Sequence, residues 1–169
     1  MKKSLGRAFI FSLLLFFVLN FLFTIIGNAI YQSLDYEFTR FAEHPTFIIF
    51  RLMFPIHYYP WDLVNLIIIT TEIGIKIMYI GFFISIIIAS IIAGLTGGSF
   101  FKSLGGWILT SITCMLLFVI ILVIDDYNLG FFFSSNLGEA IVTMIITVGA
   151  NLLVFSALTA LIALIKGRS

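Results

Sequence analysis

The sequence predicts an all-α integral membrane protein: a four-transmembrane-helix bundle with both termini cytoplasmic and an aromatic-rich outer loop containing short interfacial helices. The first observation is composition. The chain is 62% hydrophobic and 10% charged, far from the soluble averages of about 45–50% and 25%. A water-soluble domain of 169 residues could not hide that much apolar surface, whereas lipid solvates it. The second is the spacing of four apolar stretches, at about 8–30, 74–95, 107–124 and 140–165. Each approaches or exceeds the roughly 20 helical residues that cross a ~30 Å hydrocarbon core.

The third is how charge is sorted. The two tails and the middle loop hold six basic residues (Lys2, Lys3, Arg7, Lys102, Lys166, Arg168) and no acid. The other two connections, with the adjoining ends of the spans, hold all eight acids, from Asp35 to Glu139, against Arg40, Arg51 and Lys76. Retention of Lys and Arg on the cytoplasmic side predicts four crossings of the cell membrane with both tails in the cytoplasm. Ser103 should then face the cytoplasm, and Ser33 and Ser134 the outside. Residues 1–169 read as a single membrane domain, with no linker or repeat.

The first stretch follows Lys2, Lys3 and Arg7, an arrangement that imitates a signal peptide. Its apolar run of 19 residues (8–26) exceeds the usual h-region of about 7–15, so an uncleaved anchor helix is expected. Ser12, Asn20, Thr24 and Asn28 fall on an i, i+4 lattice along it. An amide left unpaired in hydrocarbon costs several kcal/mol, so Asn20 should face protein or water.

The outer loop, about 31–73, contains the chain's only histidines, His44 and His57. Ser33 can cap a short helix with Asp35 and Glu37 in its first turn, matching the helix dipole. Leu34, Phe38 and Phe41 share a face while Asp35, Arg40 and Glu43 take others, as in a helix lying in the membrane interface. Pro45 stops it. The nine residues 46–54 are apolar except for Arg51 and are too short to span. Pro55 and Pro60 bracket Ile56-His57-Tyr58-Tyr59, and Trp61 follows; Tyr and Trp favour the headgroup zone, so this stretch should anchor at the outer surface. Residues 63–71 are either an outward extension of the second span or a separate interfacial helix. Glu72 and Lys76, at i, i+4, can pair on one face at the membrane rim.

Within the second span Gly81, Ser85, Ala89, Ala93 and Gly97 place a small residue at every fourth position. That smooth groove lets another helix approach closely, and an internal partner is expected. The next connection has two Gly-Gly pairs, Gly97-Gly98 and Gly105-Gly106, read as turn residues. It matches neither phosphate-loop spacing, and its shortness predicts that spans two and three form an antiparallel hairpin. The fourth span carries Gly149, Ser156, Ala160 and Ala163 on a broadly shared face and Asn151 near its centre. Helical rise puts Asn20 about 20 Å above Arg7 and Asn151 about 22 Å above Lys166. The two amides share one depth, and a pairing between them, direct or through one water, is expected.

Chemistry is sparsely encoded. Cys114 is the one cysteine, which removes paired-thiol redox chemistry. No histidine lies in a span, so neither an intramembrane Ser/His/Asp site nor a haem ligated from the bundle is expected. No HxxxH, HExxH or CxxC spacing points to a metal. The scattered basic residues do not form a nucleic-acid patch. The expected function is therefore a non-enzymatic membrane scaffold or accessory subunit without cofactor, its partners the lipid bilayer and a protein partner or a second copy. The alternative is a small-solute transporter or channel component acting as an oligomer, with Asn20, Thr24, Asn28, Asn151 and the Glu72–Lys76 pair along the route.

Overall fold

The computed structural model describes residues 4–133 and 136–167; Lys2, Lys3, Ser134 and Arg168 lie outside them. The described residues form helices and short turns, without strands: α1 (Leu5–Ile30), α2 (Leu34–Glu43), α3 (Thr46–Met53), a 3-10 turn (Phe54–His57), α4 (Pro60–Ile69), α5 (Ile73–Thr96), α6 (Phe100–Ile124), α7 (Asp126–Phe133) and α8 (Leu137–Gly167). Helices α1, α5, α6 and α8 are long and apolar enough to cross a membrane. The start of α1, the end of α8 and the α5–α6 turn lie together at one end of the bundle, the terminal end; α2, α3, α4 and α7 gather at the other, the loop end.

Local chemistry sets the helix limits. Ser4 and Ser99 cap α1 and α6 by accepting the backbone N–H of Arg7 (3.2 Å) and Lys102 (3.4 Å), each satisfying a donor that a helix start leaves without a partner. The α5–α6 turn is tighter than expected. Only Gly98 takes a positive φ, 82°, and α6 starts at Phe100 rather than near residue 107. Gly105 and Gly106 are helical, so they are packing residues and not a turn. A Cβ on Gly106 would lie 2.4 Å from that of Ala8, which is how α1 and α6 come into contact.

Helix α5 is the hub, packed along α1 and also against α8 and α6, with α1 and α8 on opposite sides. The α1–α5 seam is nearly backbone on backbone. A Cβ on Gly74 would meet the Gly27 carbonyl at 2.5 Å, one on Gly81 would meet Phe23 at 2.1 Å, and Ser12 donates to the Ala89 carbonyl at 2.9 Å. The small residues Gly81, Ser85 and Ala89 are buried in this seam, Ala93 is buried further along, and Gly97 packs on Ser103 at the turn. A second face of α5 receives α8: Gly94 abuts Ile162, and Thr159 donates to the Ser90 carbonyl at 3.0 Å.

The largest departure from expectation is the loop after α2. Helix α3 and the 3-10 turn fold back against the bundle, burying one face and leaving Ile49 of α3 exposed. Phe47, Phe50, Met53, Phe54 and Ile56 are buried there, with Phe50 stacked on Phe118 of α6 (5.0 Å) and Phe54 edge-on to Phe82 of α5 (6.0 Å). Their burial faces the helix spacing Phe47, Phe50 and Phe54 into the bundle. Of the aromatics expected to anchor, Trp61 stays 53% exposed, while Tyr58 and Tyr59 are half-buried.

Residues 63–69 belong to a separate helix, α4, rather than to an extension of α5. Thr70 and Glu72 have extended backbone, which breaks α4 from α5. Asp62 lies in the first turn of α4, behind Pro60 and the cap Tyr59, and is not itself the cap. In α2 Glu37 and Phe41 are buried while Phe38 is exposed. Ser33 makes no side-chain cap bond and instead donates to Asn28 Oδ1 at 2.7 Å.

Candidate functional site

Two polar arrangements stand out, one deep in the bundle and one at the loop end. In the deep one, Asn20 donates to the Leu52 carbonyl (3.0 Å) and accepts the Ser85 hydroxyl. Asn151 donates to the carbonyls of Ile56 (3.1 Å), Tyr58 (2.8 Å) and Thr147 (3.1 Å). Asn20 lies ten residues below Ile30 and Asn151 fourteen below Leu137. At ~1.5 Å per residue, the segment from Leu52 to Tyr58 thus reaches about 15–20 Å below the loop ends of α1 and α8. Where α3 gives way to the 3-10 turn, the last carbonyls of these short helices lose their helical partners, and at that depth they must find others within protein. The two amides supply them.

The expected Asn20–Asn151 pairing is therefore corrected. Both amides are fully buried and face inward, but they sit on helices across the bundle and clasp the two ends of one intervening segment. The other residues placed on the polar route are not brought together with them. Asn28 donates to the Thr24 carbonyl of its own helix (2.9 Å) and accepts from Ser33, and the buried Thr24 hydroxyl has no hydrogen-bond partner among the described residues. Glu72 and Lys76 form no ion pair; the Lys76 amide donates to the Glu72 carbonyl (2.9 Å), with Glu72 exposed just ahead of α5.

The loop-end arrangement centres on Arg51 of α3, whose Nε donates to Oε1 of Glu37 on α2 at 2.8 Å. Their side chains are 16% and 3% exposed. Beside the pair a crevice of about 310 Å³ opens between α1, α2, α3 and α5, with Tyr36, Arg40 and Tyr58 among its walls. Arg40 lies over the Tyr36 ring at 4.0 Å, a cation–π contact. Burial first, and then Tyr79, hold the Tyr58 phenol well above its ordinary range, so it stays a neutral donor.

A further cluster ties the segment to the other side of the bundle. Thr46 donates to Asp125, Asn128 donates to Thr46 (3.0 Å), and His44 stacks on Tyr127 at 3.8 Å. His57, in the 3-10 turn and outside the four long helices, is enclosed by rings: Phe133 at 5.0 Å edge-on, Phe118 at 5.9 Å stacked. Burial pushes its imidazole down to about 4, from an ordinary value of about 6.5. A depressed histidine stabilises the fold fully above the unfolded value and loses that contribution as pH falls through the interval toward the folded one. Stability should accordingly fall by about 2 kcal/mol between pH 7 and pH 5. Measured in mixed-micelle SDS titrations, that slope should flatten in His57→Phe; an unchanged slope would assign it to other groups.

Sequence reasoning missed the Glu37–Arg51 pair. A signal was present: an arginine inside a nine-residue apolar run demands a partner if the run is buried. Among the described residues no cluster of three or more His, Cys, Asp or Glu is placed to hold a metal ion. Set against known protein families, characterised proteins and solved structures, the chain matches none.

Proposed function

We propose that this chain is a non-enzymatic scaffold or accessory subunit of a membrane complex, lying in the cell membrane with both termini cytoplasmic. The observation that carries the reading is the filling of the bundle by α3 and the 3-10 turn. A solute route along the axis would need a continuous string of hydrated polar groups. Here Phe47, Phe50, Met53 and Phe54 occupy that space, and the amides of Asn20 and Asn151 are spent on backbone carbonyls. The surfaces left for function are the capped loop end and the lipid-facing helix sides. On one of those sides Gly149, Leu153 and Ser156 line an open groove of about 470 Å³ between α6 and α8. A Cβ added at Gly149 meets nothing within 4 Å, so a partner helix can approach there as it does at small-residue interfaces.

A photo-crosslinking residue at Leu153 should give one discrete adduct in native membranes, with a partner or a second copy. Gly149→Leu should abolish the adduct while leaving the melting behaviour of the purified protein unchanged. A chain that stays monomeric and yields no adduct would sink the reading. Flux through proteoliposomes that depends on Asn20 or Asn151 would replace it with the transporter alternative.

Orientation rests on the charge partition and is tested by thiol labelling in a Cys114→Ser background. Ser103 is a poor reporter because it is fully buried, donating to the Gly94 carbonyl at 3.1 Å, so it would be shielded on either side. Phe101 is 81% exposed and Ala42 is exposed. In intact cells an impermeant reagent should label Ala42→Cys and spare Phe101→Cys; the reverse pattern would invert the topology.

A further inference from the structure

We propose that the crevice beside Arg51 is a binding site for a phosphate oxyanion, supplied by the headgroup of a membrane lipid. The crevice is built for an anion. The charged residues in its wall are Arg40, Arg51 and Glu37, a net charge of +1, and the carboxylate is already engaged by Arg51 Nε. The two Nη groups of Arg51 make no hydrogen bond to the described residues; the side chain is 16% exposed, lines the crevice, and lies over the Phe54 ring of the crevice floor at 5.8 Å. A guanidinium held by a carboxylate on one edge and open on the other presents parallel N–H donors in the geometry that phosphate oxygens accept. Tyr36 and Tyr58 add phenols to the same wall.

An ion pair this buried is a poor source of stability, because desolvation offsets most of the attraction. It does fix where the arginine points. Glu37 is thus a positioning residue for Arg51, much as carboxylates orient arginines at oxyanion sites.

The crevice also selects for an amphiphile. Its floor is Phe54, Met78 and Phe82, and Phe82 lies nine residues into α5, or about 13 Å below the loop end at ~1.5 Å per residue. The mouth, at Ser33 and Arg40, lies at the level where the long helices end. A polar mouth at headgroup depth above an apolar floor matches a lipid phosphate with its glycerol backbone turned inward.

The purified full chain in detergent is examined by native mass spectrometry with phosphatidylglycerol, with diacylglycerol of the same acyl chains, and with inorganic phosphate. One phosphatidylglycerol should be retained at least about tenfold more tightly than diacylglycerol, the scale of one charge-assisted contact. In Glu37→Leu/Arg51→Met, which swaps the pair for apolar side chains of similar size, that preference should vanish. Ile75→Trp, which narrows the crevice and leaves the pair intact, should also release the lipid, and it decides the matter if the double variant does not fold. Millimolar phosphate that displaces the lipid in a pair-dependent way would keep the oxyanion site and overturn the lipid as its source. Equal retention of both lipids, or undiminished phosphatidylglycerol binding in folded variants, would overturn the site itself.

Discussion

Arg51→Met is expected to destabilise the bundle by about 3–5 kcal/mol, the usual loss when one member of a buried ion pair is removed. The physical cause is Glu37, 3% exposed, which would remain in the interior without its guanidinium. The reverse single change, Glu37→Leu, should cost less. Arg51 is more exposed and lines the crevice, so its charge keeps access to water when the carboxylate is gone. The double variant Glu37→Leu/Arg51→Met should recover most of the loss, because an apolar pair of similar volume carries no desolvation penalty. Midpoints from SDS titration in mixed micelles, followed by circular dichroism, give the full cycle. A double variant as unstable as Arg51→Met alone would show that the pair is not the origin of the effect. The asymmetry between the singles tests the burial difference independently.

The second large effect is expected at Asn151. Its amide donates to two carbonyls of the inserted segment and one of its own helix, and with two hydrogens one is shared. Asn151→Leu keeps the volume but strands the Ile56 and Tyr58 carbonyls in a dry interior, where each unsatisfied group costs about 1–3 kcal/mol. Partial relief by neighbouring donors, as seen between membrane helices, reduces the expected loss to about 2–4 kcal/mol. Hydrogen exchange should localise it: amides of residues 46–58 should exchange faster while those in the middle of α5 and α6 hold their protection. Asn20→Leu removes the clasp at Leu52 and should act in the same direction, more weakly, because it loses one such donor bond. The double change should cost less than the sum of the two, since releasing one end of the segment already loosens the other. Strict additivity, or protection unchanged in residues 46–58, would show that the amides do not hold the segment.

Much of the architecture was legible in the residues themselves. Four apolar stretches became four long helices, because a run of some twenty apolar residues has few other ways to satisfy its backbone in lipid. The fourth-residue series in α5 was readable as a packing face, since a row of small side chains has one clear geometric consequence. Asn20 and Asn151 were readable as inward-facing from the price of an amide in hydrocarbon. Their partners were not. Depth can be counted along a helix, but which helices are neighbours and what lies between them depends on contacts distant in the chain.

The segment from Thr46 to His57 marks the boundary most sharply. Length forbids it to span, and Tyr58, Tyr59 and Trp61 suggest an interfacial position. Nothing local distinguishes a short apolar helix lying on a bundle from one inserted into it. The decision belongs to the tertiary structure, through partners brought from far along the chain: Asn20 and Asn151 for its carbonyls, Glu37 for Arg51, and Phe82 and Phe118 for its rings. Gly105-Gly106 illustrates the same limit in miniature, because a glycine pair serves a turn or a close helix contact equally well until Ala8 is known to lie against it. Composition and periodicity, being one-dimensional, determined by themselves that the chain is helical and apolar enough to cross a membrane four times. What fills the bundle, and the crevice beside Arg51, follows from side chains distant in sequence meeting in space, which only the packed structure decides.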